Sequence, residues 1–337
     1  MKKTLGVFLA GALALALSAC AGGAAPTTAA PGGESTGGTS GAKPLNELVV
    51  GFAQVGAESG WRTANTKDIQ DSFKEAGIEL KFSDAQQKQE NQIKAIRSYI
   101  QQKVDYIAFS PVVETGWDAV LNEAKAAGIP VILTDRAVDS ADDSLYVTFL
   151  GSDFILEGEK AGNWLVEQYK DSTDPVAIVQ LEGTTGSAPA NDRATGFANV
   201  IKADSKFEIV ASQTGDFTRA GGKQVMEAML KSQPKIDVVY AHNDDMGLGA
   251  IEAIEAAGKK PGVDIKIITV DAVKDGMTAL ADGKLNFIVE CSPLLGKQLI
   301  DVIKTLNEGG TVEKRIVTEE TTFTQEEAKA ALPDRKY

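Results

Sequence analysis

VVGFAQVGAESGWR, residues 49–62, decides the fold. The apolar run Leu48–Phe52 has the length of a short buried strand. It empties into a polar, glycine-punctuated loop, Gln54–Gly60. Trp61 and Arg62 follow, and then a helix-like run, Thr63–Ala76, which stops at Gly77, a common residue just past a helix end. Strand, loop and helix in this order open an α/β domain. In open α/β sheets ligands sit beyond the carboxyl ends of the strands, which is where the loop lies.

Outward from this unit the pattern repeats. Strands are expected at Ile78–Phe82, Val104–Phe109 and Pro130–Thr134, with helices at Gln89–Gln102 and Trp117–Ala127 between them. Ile93, Ile96 and Ile100 carry the helical spacing in the first of these. Strand and helix alternating without a break imply a parallel sheet with right-handed crossovers. The pattern then restarts. Strands Val176–Gln180, Phe207–Gln213, Ile236–Tyr240 and Ile265–Val270 alternate with helices Ala194–Lys202, opened by Arg193, then Gly222–Lys231 and Gly247–Ala257. A last strand, Phe287–Val289, ends at Glu290 before helix Leu294–Leu306. VDYIAFSP in the first half lies over IDVVYAHN in the second, a likeness of architecture more than of letters.

The N-terminus reads as a targeting segment. Lys2 and Lys3 precede the apolar run Leu5–Leu17, which is short for a membrane span. Leu17-Ser18-Ala19-Cys20 resembles a lipobox, so residues 1–19 are expected to be a lipoprotein signal and Cys20 the lipidated residue. An ordinary secretory signal with a chance cysteine is the alternative. The Gly-, Thr-, Ala-, Ser- and Pro-rich stretch up to about residue 44 is expected to be a flexible linker.

Composition narrows the function. A formal net charge of −13 argues against a nucleic-acid partner. Two cysteines, Cys20 and Cys291, and one histidine, His242, leave no His/Cys cluster with metal-ligand spacing. Between the expected strands and helices no Gly-x-Ser-x-Gly elbow occurs, and the chain has no phosphate-cradling loop or calcium-loop pattern. GTTG at Gly183–Gly186 is too weak to read as a nucleotide loop. Neither an enzyme nor a cofactor is expected. A carboxylate pair for glycoside hydrolysis stays open from the letters alone, although aspartates beside arginines stay ionised and make poor general acids.

The strand ends supply the candidate site. The first half offers Trp61, Arg62, Asp84, Gln86, Asp135 and Arg136, and the second offers Arg193, Asp216, Phe217, Asn243 and Asp271. A carboxylate accepts two hydrogen bonds from adjacent sugar hydroxyls, an arginine fork donates to the same oxygens, and aromatic rings stack on apolar sugar faces. The bland alternatives stay open here. An aspartate after a strand commonly caps the next helix. Asp135-Arg136 also reads as a solvated ion pair, and Trp61 and Phe217 as core. Trp117 and Trp164 lie in helical segments and read as packing residues, and His242 reads as a neighbour of the site or a structural residue.

These segments together carry a resemblance. VGFAQVGAESGWR, DAQQKQENQIKAIRSYI, SPVVETGWDAVLNEAKAAGIPVILTDR, NDRATGFANVI, SQTGDFTRAGGKQVMEAML and VYAHNDDMGLGAI stand in the order seen in periplasmic sugar-binding proteins of bacterial ABC transporters. The body from about Leu48 to Leu332 resembles the ribose and galactose type, and within it the galactofuranose-binding subgroup. The ribose-type pair of phenylalanines is missing near Trp61-Arg62, and Glu290 stands where that type often has an amide.

The resemblance implies the type I periplasmic binding protein fold, two Rossmann-like α/β lobes with parallel sheets joined by a three-segment hinge. Residues 45–150 and 291–318 would form the N-terminal lobe, and 151–290 and 319–332 the C-terminal lobe. By position it implies ligand contacts at Arg62, Asp135, Arg136, Arg193, Phe217, Asn243, Asp271 and Glu290, with contributions from Gln54, Glu58, Ser59, Trp61 and Gln86. The expected partners are a monosaccharide, galactofuranose or galactose first, an ABC permease, and the membrane through Cys20. The expected state is an extracytoplasmic monomer. A receptor presenting its ligand to a membrane sensor is the alternative.

Overall fold

The computed structural model describes residues 42–337. Cys20, the signal segment and nearly all of the linker lie outside the described residues. The body begins earlier than expected, because Lys43 pairs with Asp105 at 2.8 Å and its backbone N–H donates to Asn307 at 3.3 Å.

In chain order the elements are β1 (Val49–Gln54), α1 (Gly60–Ala76), β2 (Glu79–Asp84), α2 (Gln89–Gln102), β3 (Tyr106–Phe109), α3 (Asp118–Ala126), β4 (Val131–Thr134) and β5 (Thr148–Gly151). Then come α4 (Phe154–Gln168), β6 (Val176–Glu182), α5 (Ala188–Ile201), β7 (Phe207–Thr214), α6 (Arg219–Ser232), β8 (Val238–Ala241), α7 (Asp244–Ala256), β9 (Lys266–Asp271), α8 (Lys274–Ala281) and β10 (Phe287–Glu290). The chain closes with α9 (Gly296–Asn307), β11 (Arg315–Val317), β12 (Thr322–Phe323) and α10 (Gln325–Ala331).

Two six-stranded sheets result, with the orders β11-β5-β4-β3-β1-β2 and β12-β10-β9-β8-β6-β7. Every pairing is parallel except β10 with β12. Central strands β3, β4 and β8 are buried throughout. Their unbroken apolar runs are the mark of a parallel sheet covered on both faces. Helix α1 buries Ile69 and Phe73 against Leu299 and Ile303 of α9, so the first lobe is completed by chain from near the C-terminus. In the second lobe α4 crosses α5 closely. A Cβ at Gly158 would overlap the carbonyl oxygen of Arg193, so glycine sets the distance between these helices.

The chain passes between the sheets three times, after β5, after β10 and after β11. Glu320 on the third passage ties all three together. Its Oε1 accepts from Ser152 Oγ at 2.5 Å on the first passage and from the Ser292 N–H at 2.9 Å on the second. Burial, and after it the neighbouring Glu157, push the Glu320 carboxyl up to about 9. A folded-state value above the ordinary one means the contribution to stability is fully present below about pH 4.5 and is lost as pH rises through about 9. The melting midpoint of the ligand-free protein therefore falls between mildly acidic and alkaline buffer, and Glu320→Gln flattens part of that fall. An unchanged slope in the variant would show that Glu320 is already ionised at neutral pH.

The structure moves several expected boundaries. Trp61 and Arg62 lie in the first turn of α1, because Ser59 Oγ caps the Arg62 N–H at 3.1 Å. Arg193 sits in the middle of α5, which starts at Ala188. Pro189 lies in its first turn, where a missing N–H costs nothing. β5, α8, β11, β12 and α10 have no counterpart among the expected elements, and of α4 only the helical setting of Trp164 is expected from the sequence. Trp117 and Trp164 are packing residues as expected, the first tilted against Phe109 and the second stacked on Phe287.

Candidate functional site

Where the carboxyl ends of the two sheets face each other lies a cavity with about 290 Å³ of empty space. Glu58, Ser59, Trp61, Arg62, Asp135 and Arg136 line it from one lobe. Pro189, Arg193, Phe217, Asn243 and Asp271 line it from the other, and Cys291 on the second passage completes the wall.

Backbone strain marks the same place. Asp135, Phe217 and Asp271 have φ of 62°, 60° and 125°, a region that side chains other than glycine rarely occupy. Neither aspartate caps the following helix. Asp142 caps the turn after β4, and Val273 stands at the cap of α8. Gly183 lies against the Phe217 ring, and a Cβ there would collide with it.

The electrostatics separate the three arginines. Arg62 is fully engaged. Its Nη2 donates to Asp135 Oδ2 at 2.6 Å, its Nε to Glu58 Oε1 at 3.0 Å and its Nη1 to Gln54 Oε1 at 3.1 Å. Burial acts to lower the Arg62 pKa, but Asp135 and Glu58 outweigh it and the net shift is upward. Burial acts to raise Glu58, but Arg62 and Arg136 hold it below the usual carboxylate range. Arg193 donates from Nε to Glu157 at 2.7 Å and from Nη1 to the His242 carbonyl at 2.5 Å, with Nη2 3.9 Å from Asp271 Oδ1.

Arg136 is the exception. It is 3% exposed, and its one hydrogen bond is from Nη1 to the Val112 carbonyl at 3.2 Å. Glu58 stands 3.6 Å from Nη2 and Asp135 3.7 Å from Nε, and among the described residues Nε has no hydrogen-bond partner. Burial, and then the charge of Arg62, push Arg136 down to about 10. The Asp135-Arg136 pair is thus buried and loosely held, not a solvated bridge. Two more polar atoms lack partners in the same cavity wall, Glu58 Oε2 and Asp271 Oδ2. Burial raises Asp271 well above its ordinary value, with Arg193 opposing. One arginine N–H and two carboxyl oxygens, contributed by both lobes, are left for a small polar ligand.

Three expected contacts fall outside the cavity. Gln54 lies behind Arg62, where it orients the guanidinium and bonds Asn65 and Thr66 through Nε2. Gln86 is exposed, in a turn whose N–H is held by Asp84 Oδ1 at 2.7 Å. Glu290 turns away to Arg335 Nη1 at 2.7 Å and Tyr337 Oη at 3.0 Å, partners in a C-terminal tail beyond the expected lobe boundary. Asp216 is exposed as well. Asn243 caps α7 with its Oδ1 and donates to the Phe217 carbonyl at 3.0 Å, so it fixes the turn that carries the ring. His242 is fully buried, and burial, then Arg193, hold it neutral, which fits a structural residue. Cys291 and Pro189, which also line the cavity, carry no signal in the sequence.

Residues 50–311 match the model of the periplasmic binding protein domain. The chain belongs to the periplasmic binding protein family. This makes it a solute receptor of the extracytoplasmic space and not an enzyme. The galactofuranose-binding protein YtfQ of Escherichia coli is 47% identical over 86% of this chain and 92% of its own length. A Mycobacterium smegmatis protein crystallised with β-D-fucofuranose is 67% identical, with a TM-score of 0.85 over 86% of this chain and 95% of that one. The arabinose transporter component of Shewanella sp. ANA-3, bound to α- and β-L-arabinofuranose, is 50% identical, with a TM-score of 0.83 over 86% of this chain and 96% of that one. Among the described residues of this binding protein, no helix is long and apolar enough to cross a membrane.

Proposed function

We propose that this receptor captures a neutral monosaccharide in its furanose form, galactofuranose first, and delivers it to an ABC permease while tethered to the membrane through a lipid on Cys20. The observation that carries this reading is the set of unpartnered atoms, Glu58 Oε2, Arg136 Nε and Asp271 Oδ2, on residues that line one cavity shared by both lobes. A buried polar atom without a partner costs about 1–3 kcal/mol, so a ligand with several hydroxyls that satisfies all three is bound by relieving that cost. Trp61 and Phe217 supply apolar ring faces in the same wall.

Three arginines and three carboxylates line the cavity. A neutral polyol suits that balance, and a sugar phosphate or uronate does not. One of the relatives above is named for galactofuranose and two are crystallised with furanoses, which supports the furanose form here. Closure on the sugar shifts the population toward the form in which both lobes touch the ligand, and that form is what a permease reads.

A thermal-shift panel on residues 42–337 tests the reading. D-galactose, D-fucose, L-arabinose and D-fructose raise the melting midpoint, by about 4 kcal/mol of added stability at a thousand times Kd. D-glucose and D-galacturonate leave it in place. No shift with any sugar, or the largest shift with galacturonate, would overturn the reading.

A further inference from the structure

Several contacts bridge the two lobes outside the cavity. Asn191 donates to Glu114 Oε2 at 2.6 Å and the Glu114 N–H to the Gly186 carbonyl at 2.9 Å, the first on exposed side chains. Gln87 reaches the Asp216 carbonyl only at 3.5 Å. One bridge differs in kind. The N–H of Gly60, first residue of α1, donates to Asp245 Oδ2 at 2.7 Å, in the first turn of α7 in the opposite lobe. Asp245 is 7% exposed and lies outside the cavity wall.

We propose that Asp245 is a positioning residue for ligand binding: its carboxylate caps helix α1 across the cleft and holds the receptor closed without touching the sugar. The inference rests on the sugar-binding reading above. The first N–H groups of a helix have no partner within it, and among the described residues Asp245 is the one acceptor that the Gly60 N–H meets. The positive end of the α1 dipole favours a carboxylate there, and a charge-assisted bond to a backbone N–H is among the stronger ones. The next two residues of α1 are Trp61 and Arg62, both in the cavity wall. The latch therefore grips the turn that carries two ligand-facing side chains.

Asp245 is held in place by its own lobe. Its Oδ1 accepts from Arg219 Nε at 3.2 Å, and Arg219 Nη2 donates to Asp275 at 3.0 Å. The preceding residue, Asp244, is fixed by Thr269 Oγ1 at 2.5 Å and the Val273 N–H at 2.8 Å. The carboxylate is thus aimed before the cleft shuts. A contact made only in the closed form adds to apparent affinity by raising the share of that form, and its loss appears in the off-rate.

Stopped-flow and titration measurements with D-galactose and L-arabinose test this. Asp245→Ala raises Kd about tenfold, with the change in koff and an unaltered kon. Asp245→Asn, which keeps an acceptor and loses the charge, falls between it and the wild type. Lys223→Ala, whose exposed ion pair with Glu252 stays within one lobe and does not touch Asp245, binds within about twofold of the wild type. An Asp245→Ala affinity within twofold of the wild type, or a loss carried by kon, would overturn the latch. A wild type that binds neither sugar would refute the sugar reading instead. The latch is then read by small-angle scattering of the sugar-free proteins, where Asp245→Ala has the larger radius of gyration and equal radii would overturn it.

Discussion

Arg136→Ala weakens sugar binding about ten- to a hundredfold while the sugar-free protein melts almost where the wild type does. The side chain makes one hydrogen bond, to the Val112 carbonyl, and its carboxylate neighbours stand 3.6 and 3.7 Å away. Its removal relieves the repulsion from Arg62 that contributes to its lowered pKa. Glu58 and Asp135 stay paired with Arg62. The stability cost is therefore no more than about 1 kcal/mol. The affinity cost is large, because a buried guanidinium with a free Nε is the main unspent donor of the cavity. A hydrogen bond from a charged group is worth about 1.5–3 kcal/mol, so the loss of the one from Nε weakens binding about ten- to a hundredfold. Calorimetric titration beside a melting curve reads both quantities. A variant that unfolds well before the wild type would make Arg136 structural.

Arg62→Ala has the opposite signature, with stability and binding lost together. Arg62 spreads its fork over Asp135, Glu58 and Gln54, all buried. Without it two carboxylates are left deep in the protein with only the long contacts to Arg136. Breaking a buried pair from one side costs about 3–5 kcal/mol. Arg62→Lys recovers little, because an ammonium cannot reach three acceptors in one plane. Urea unfolding of the sugar-free variants measures this. A midpoint equal to that of the wild type would mean that the carboxylates are solvated and that the fork is not a clamp. The two neighbouring arginines thus divide the work, one holding the wall and one left for the ligand.

Much of this was written in short stretches of the chain. VVGFAQVGAESGWR predicts a strand, a loop and a helix, and β1 and α1 follow, with Glu58, Ser59, Trp61 and Arg62 all brought to the cavity. Asp135, Arg136, Phe217 and Asp271 were visible because they stand just past strands, where an α/β sheet exposes its side chains to a ligand. What was hidden depends on contacts distant in the chain. Glu290 ends a strand like the others, but Arg335, 45 residues later, takes its carboxylate. Gln54 faces inward because Arg62 needs a third acceptor. β5 is four residues long and is formed by pairing with β4 and with β11, whose residues come from near the C-terminus. No local period announces such a strand. Asp245 shows the same limit, since its bond to Gly60 spans 185 residues and both lobes.

The most direct test is a crystal structure of residues 42–337 grown with D-galactose. The account predicts a single furanose ring between the lobes, with hydroxyls in hydrogen-bond contact with Arg136 Nε, Asp271 Oδ2 and Glu58 Oε2. A pyranose ring in that cavity would contradict the furanose assignment, and sugar bound elsewhere with these three atoms still unpartnered would contradict the site itself.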